Sequence, residues 1–374
     1  MKKLFILGNG FDLCLGMKTS YWDFFNSDDI KNFETLYCDS SIDSEDFKNT
    51  NLFLAYLFKM KLDKNSDWNH IEKNIINYVE FVVKEKSTIS ITSPNTKFQN
   101  LISKLDFMND NKFIIDELKK FEKIFGEYIR HEEQYLLQDH KRFPLATDKI
   151  NKIFNFNIKV SSEEVTIFSF IHIINFNYTN YISQAIKALT YKVETFPFNK
   201  SRYKIDLQQV NIHGNTDNPI FGIDSLDIEK YKDVYFKNVF IREERDYEQE
   251  YVLYSILQKL TKTARIMEDK TVHADWKLPS PRDLEEINFF GHSLSKADYS
   301  YFQSIFDYYN IYDSHIKLNF LYNKNYDKDG ANQHTNVMNL MTNYGYTLDN
   351  KDKGKNLLHK MLLENRIHLT GLDV

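Results

Sequence analysis

Residues 4–12 read Leu4-Phe5-Ile6-Leu7-Gly8-Asn9-Gly10-Phe11-Asp12, an apolar run that breaks at once into a Gly-x-Gly turn. Buried-type residues followed by two glycines are how an inner parallel strand delivers its backbone to a phosphate. The first glycine permits a tight turn, and the second leaves room where a side chain would block a ligand. The full dinucleotide fingerprint is not met, because Leu13 stands where a third small residue is expected. A plain strand-to-helix turn would use the same glycines. Three later segments add weight to the nucleotide reading.

The first of these is Asn175-Phe176-Asn177-Tyr178-Thr179-Asn180, which closes a long apolar strand at 165–176. Three amides and a hydroxyl in six residues are costly to bury unpartnered. Asx turns would use one or two of them, and a polar ligand would use the rest. Next, a strand at 205–213 ends in His213-Gly214-Asn215. A histidine there suits a general acid or base, although a single histidine is more often simply hydrogen-bonded at a strand end. Finally, a short strand at 287–290 ends in Gly291-His292-Ser293-Leu294-Ser295, ahead of a helical pattern from Tyr299. Ser295 and Asp298 read as a capping box, and the backbone N–H groups of such a helix start suit an anion.

Strands that alternate with helices predict an α/β fold, a Rossmann-like, mainly parallel sheet with helices on both faces. Ligands of such sheets bind beyond the carboxyl ends of the strands, and all four segments sit at such ends. A last strand is expected at 315–322, with loops at 323–335 and 348–355 and short helices to finish. Between about 45 and 140 the text is helical. Ile71, Ile75, Ile76, Val79, Val82 and Val83 share one helical face, and residues 230–262 also read as helix. The expected organisation is a nucleotide-binding core at 1–26 and 160–322, a large helical insertion or subdomain at 27–159, and a C-terminal helical extension at 323–374.

Of the 374 residues, 42% are hydrophobic and 15% aromatic, ample material for a core, while only 11 Gly and 6 Pro argue against a disordered chain. The net charge of −5 gives no general attraction to nucleic acid or an anionic membrane. Two cysteines, Cys14 and Cys38, form no zinc-binding pairs and no disulfide framework. No apolar stretch approaches the ~20 residues that span a bilayer. No signal peptide is read, so a reducing cytoplasm is expected. His131, Glu132, Glu133 and His140 lack the spacing of a zinc helix and read as a solvated face. Trp68 and Glu72 read as packing.

The order Gly-Asn-Gly-Phe-Asp, Asn-Phe-Asn-Tyr-Thr-Asn, His-Gly-Asn, Gly-His-Ser-Leu-Ser-Lys-Ala-Asp resembles the bacterial abortive-infection H (AbiH) family, from residue 4 to about 302. Residues 4–25, which include Thr19-Ser20-Tyr21-Trp22-Asp23-Phe24, carry the most specific part. That family is more remotely similar to sirtuin-like domains that bind NAD and, in several defence systems, hydrolyse it. The resemblance implies that Gly8 and Gly10 meet a pyrophosphate and that Asn177 orients a water and the nicotinamide ribose. It also implies that His213 is catalytic and that Gly291 and Ser293 lie on the adenosine side. Thr179 stands where an aspartate is usual, and Asp12 replaces the usual serine. The missing zinc cysteines argue against a protein deacylase.

Three functions are therefore carried forward. The first is an antiphage effector that hydrolyses NAD or a related nucleotide, with Asn177 and His213 catalytic. Gly8, Asn9, Gly10, Asp12, Thr179, Gly214, Gly291, His292 and Ser293 would hold the ligand. No other cofactor and no metal is required. The second is a non-catalytic nucleotide sensor, whose helical block recognises a phage-derived trigger or closes a homo-oligomer. The third is a metal-dependent nuclease using Asp12, Asp224 and Asp298.

Overall fold

The computed structural model describes residues 2–28, 30–31, 51–62, 70–89, 112–155, 167–194, 203–225, 228–229, 253–268 and 276–374. The described elements begin with β1 (Lys2–Leu7), α1 (Asn9–Cys14), α2 (Tyr21–Phe25), α3 (Leu52–Leu62), α4 (Ile71–Ile89), α5 (Lys112–Gln138) and α6 (Arg142–Phe154). Next come β2 (Ile167–Asn175), α7 (Tyr181–Glu194), β3 (Tyr203–Asn211), α8 (Lys262–Glu268), β4 (Leu284–Phe290) and α9 (Tyr299–Tyr308). The chain then runs through β5 (Lys317–Asn323), α10 (Ala331–Thr347), α11 (Lys351–Leu363) and β6 (Ile367–Leu372). Two compact units share these elements. One holds Met1–Ser20, Ile129–Thr216 and Thr271–Val374; the other holds Tyr21–Tyr128 and Asp217–Lys270.

The first unit is built on six strands, all parallel, in the order β3-β2-β1-β4-β5-β6. Growth of the sheet reverses between β1 and β4, which is the doubly wound Rossmann arrangement with its switch point there. Strand β1 is apolar at successive positions because both its faces are covered. Leu4 and Ile6 pack with α9, α10 and α11, whereas Phe5 and Leu7 pack with α6 and α7. A strand buried on both sides demands such a continuous run.

Register places the functional end of the sheet. Leu7 lies opposite both Asn175 and Phe290, and Asn175 lies opposite Asn211. Four strands therefore stop at one level, and their connections start side by side.

Residues 323–374, expected as a helical extension, contribute more than helices. Helices α10 and α11 cover one sheet face, and β6 pairs with β5 from Leu318↔Ile367 to Asn323↔Leu372. This strand escapes sequence reading because Ile367-His368-Leu369-Thr370-Gly371-Leu372 is half exposed and carries a glycine, as an edge strand can. Helix α6, read as part of the insertion, packs Ile150, Ile153 and Phe154 into the same core as Phe5 and Ile173.

The second unit is helical. Ile71, Ile75, Ile76, Val79 and Val82 are buried, as their spacing on α4 predicts. Phe24, Phe53, Phe121, Phe125 and Phe221 pack edge to face. A buried Glu122–Arg265 pair at 2.7 Å is completed by the Phe221 backbone, whose N–H donates to Glu122 and whose carbonyl accepts from Arg265. Glu72 pairs with Lys262 at 2.9 Å. Trp68 and most of the helix expected at 230–262 lie outside the described residues.

Phe289 of β4 is 1% exposed and stacks on Phe320 of β5 with ring centroids 4.6 Å apart. Phe289→Ala is expected to lose about 3–5 kcal/mol of stability in urea unfolding. A loss under about 1 kcal/mol would show that the sheet face is not closed as described.

Candidate functional site

The turn after β1 and the turn after β4 are packed backbone against backbone. Gly8 N donates to Phe290 O at 3.1 Å, and Gly10 N donates to Gly291 O at 2.8 Å. A Cβ on Gly8 would stand 2.5 Å from His292 Cα, and one on Gly10 would stand 2.8 Å from Gly291 Cα. Gly291 is held harder still: its φ is +69°, and an added Cβ would meet Phe11 N at 2.2 Å. The space these glycines leave is thus taken up by each other's loops. Asn9 and Ser293 are exposed beside this junction. Thr19 donates its hydroxyl to Asn9 Oδ1 at 2.7 Å. The helix read from Tyr299 begins there. A 3-10 turn at Lys296–Asp298 precedes α9.

The loop after β2 is shaped by its own amides. Asn175 Oδ1 accepts from Asn177 N at 3.1 Å, and Asn175 Nδ2 donates to Thr179 O at 3.1 Å. This Asx turn aims Asn177 back at the first loop. There Asn177 Nδ2 donates to Gly8 O at 3.1 Å and to Asp12 Oδ1 at 3.3 Å. Two acceptors fix which end of the amide is nitrogen. Asn177 Oδ1 is buried and has no hydrogen-bond partner among the described residues. An acceptor so placed costs about 1–3 kcal/mol until a donor reaches it.

Thr179 Oγ1 lies 3.1 and 3.0 Å from the two oxygens of Asp12. Asp12 is 1% exposed. Burial pushes its carboxyl up to about 8, against the lowering by the Thr179 hydrogen bond, and the nearby Glu133 charge raises it further. Near neutral pH Asp12 therefore keeps its proton for the most part and would not repel a phosphate. Glu133, read in sequence as part of a solvated face, is buried and accepts from Asn180 N at 3.0 Å. Its signal in the sequence is indistinguishable from the exposed acids around it.

Across Phe176 lie two histidines. The Phe176 ring centroid is 5.4 Å from that of His213 and 4.6 Å from that of His292, edge-on to both. His213 is presented by the turn after β3, where Gly214 takes φ +77°. Asp298 stands between the histidines: His213 Nε2 is 3.4 Å from Oδ1, and His292 Nε2 is 3.4 Å from Oδ2. Asp298 occupies the N-cap of α9 but makes no side-chain cap bond, so the capping box does not form. Its six-residue spacing from His292 is no helical repeat, and sequence reading had no ground to join them.

The structure thus gathers Gly8, Gly10, Asp12, Asn177, Thr179, His213, Gly214, Gly291 and His292 at the carboxyl ends of β1 to β4. Asn177 is 3% and His213 6% exposed. A ligand reaches either only if the cover moves. No group of three His, Cys, Asp or Glu able to hold a metal is present among the described residues. No described helix is long and apolar enough to cross a membrane.

Compared with known proteins, residues 4–320 match the family model described as Bacteriophage abortive infection AbiH. No curated protein and no solved structure matches the chain.

Two stability outcomes are expected. The native state keeps on Asp12 a proton that the unfolded chain releases above the ordinary value of 3.8, so stability falls as pH rises towards about 8. Asp12→Asn removes this dependence. Its unfolding free energy should gain on the parent's between pH 4 and pH 8, by up to about 1.4 kcal/mol per pH unit, with the thermal midpoint rising accordingly. Parallel curves would contradict a buried, ionisable Asp12. Gly291→Ala should destabilise by about 2 kcal/mol or more, and an unchanged midpoint would mean the two turns are not locked together.

Proposed function

The chain belongs to the bacteriophage abortive infection AbiH family, and we propose that it acts in that role by binding NAD or a related nucleotide and hydrolysing it. The carrying observation is that Asn177, with an acceptor lacking a donor, and His213 follow the ends of the adjacent strands β2 and β3. Both stand at the end of a doubly wound sheet where nucleotides bind. The likeness of the four motifs to sirtuin-like domains supports the same choice of ligand.

Nicotinamide leaves C1′ of the ribose with the bonding electron pair, so the transition state gathers positive charge on the sugar. A protein needs to orient the ribose, exclude bulk water and present one water molecule. Asn177 Oδ1 accepts from that water or from a ribose hydroxyl. His213 takes the water's proton as its oxygen bonds to C1′. The products are ADP-ribose and neutral nicotinamide. Asp12 does not touch the ligand in this scheme; it holds Asn177 Nδ2, as it does in the structure.

The burial of Asn177 and His213, together with Thr179 in place of an acid, favours a second reading. In it the site senses a nucleotide and turnover never occurs. In either reading a phage-derived trigger would open the cover.

The test is made in infected cells and with purified protein. Cells expressing the protein should lose NAD after phage infection, with nicotinamide appearing, and His213→Ala or Asn177→Ala should cut that loss by about 100-fold or more. Protection from phage with cellular NAD intact would overturn hydrolysis. Calorimetric binding of NAD by the purified chain without product would then select the sensor.

A further inference from the structure

We infer that a second ligand site lies towards the amino ends of β1 to β3, away from the glycine turns, and takes a small aromatic zwitterion. Its ligand is an α-amino acid whose ring ends in a hydrogen-bond donor. The inference is independent of the hydrolytic reading above.

Register builds the floor of this site. Lys2, Phe170 and Asp206 lie side by side on β1, β2 and β3, and Leu4, His172 and Gln208 form the next row. Partners in such a ladder share a face, here the face on which Leu4 and Ile6 enter the core. Over β2 and β3 that face opens into a cavity of about 260 Å³, walled by the segment from Lys277 to Ser280. Tyr309 of α9 holds the wall by donating its hydroxyl to Pro279 O at 2.9 Å, and Leu278 packs against the core. All of these residues belong to the first unit. The volume falls below the about 300–1,000 Å³ of drug-sized pockets and suits a single amino acid.

The lining selects the ligand. Phe170 is 38% exposed on a sheet face where Leu4, Ile6 and Ile174 are buried, which leaves its ring open for stacking. His172 lines the same floor and is 6% exposed, and its Nδ1 is buried without a hydrogen-bond partner. A polar group in that state costs free energy that a ligand can recover. Burial lowers the pKa of His172, the Lys2 charge adds to this, and Asp206 opposes it. The imidazole is therefore neutral at pH 7 and offers a lone pair to an O–H or N–H. Asp206 and Lys277 are exposed cavity residues that pair with no described residue, whereas the Lys2 ammonium is already 3.1 Å from Asp283 Oδ2. One carboxylate and one ammonium match the two charges of an amino acid and give no net attraction to a phosphate.

Binding is read by calorimetry and saturation-transfer NMR on the purified full chain, with free amino acids as probes. L-Tyrosine or L-tryptophan, whose rings end in an O–H or N–H, should bind with a Kd below about 1 mM. L-Phenylalanine, tyramine and 3-(4-hydroxyphenyl)propionate each lack one of the recognised groups, and each should bind about tenfold more weakly than tyrosine. Asp206→Asn and Lys277→Gln, both at exposed positions, should each weaken tyrosine by about tenfold. His172→Phe should abolish the preference for tyrosine over phenylalanine; if it does not fold, the two exposed variants decide. A Kd above about 1 mM for both amino acids overturns the inference. So does binding unchanged in both exposed variants, or tyramine binding as tightly as tyrosine. Adenosine monophosphate binding there more tightly than either amino acid also overturns it.

Discussion

Contact between two peptide turns, without intervening side chains, is the constraint on which this end of the sheet depends. Gly8 and Gly10 approach Gly291 and His292 so closely that no Cβ fits between them. Because β1 and β4 are neighbours at the switch point, this contact fixes the height at which both turns leave the sheet. Gly8 O, held in place, then receives the Asn177 amide, and the residue after Gly291 is His292. Moving either turn would move Asn177 and the histidine pair together.

Around that junction the polar groups fall into two sets with opposite electrostatics. Asp12, Thr179 and Asn177 form a nearly water-free group in which burial favours a protonated carboxyl. Asp298 sits between two imidazoles, each with its Nε2 at 3.4 Å from one carboxyl oxygen. Phe176 stands by the second set and follows directly on the strand that leads to the first. Burial thus raises the Asp12 carboxyl towards its neutral form, which residue type alone does not reveal.

The sheet was legible because buried parallel strands are written as apolar runs, and Leu4–Leu7 is such a run, as is Ile287–Phe290 apart from Asn288. The four strand ends were legible because glycine or amide side chains follow the apolar runs there. Strand β6 was not, since an edge strand has one half-exposed face and its glycine argues against it. The assignment of α6 to the sheet was equally hidden, because amphipathicity shows that a helix packs and is silent about what it packs on. At the site, Asn177 and His213 could be named from their strand-end positions. The tie between Asp298 and the histidines could not, because it depends on the path of the segment from Gly291 to Asp298, including one left-handed leucine.

Strand β1 has a consequence for biogenesis. It pairs with β2 through Lys2↔Phe170 onwards and with β4 through Lys3↔Glu286 onwards, so neither edge is local in the chain. During synthesis this apolar strand emerges before both its partners and stays unpaired while more than a hundred residues follow it, and its second edge waits longer still. Loop closure over such separations is slow, and an open hydrophobic edge invites association with other chains. Nascent-chain chaperones would therefore be expected to engage this segment, and yield from expression should depend more on them than on the stability of the finished sheet.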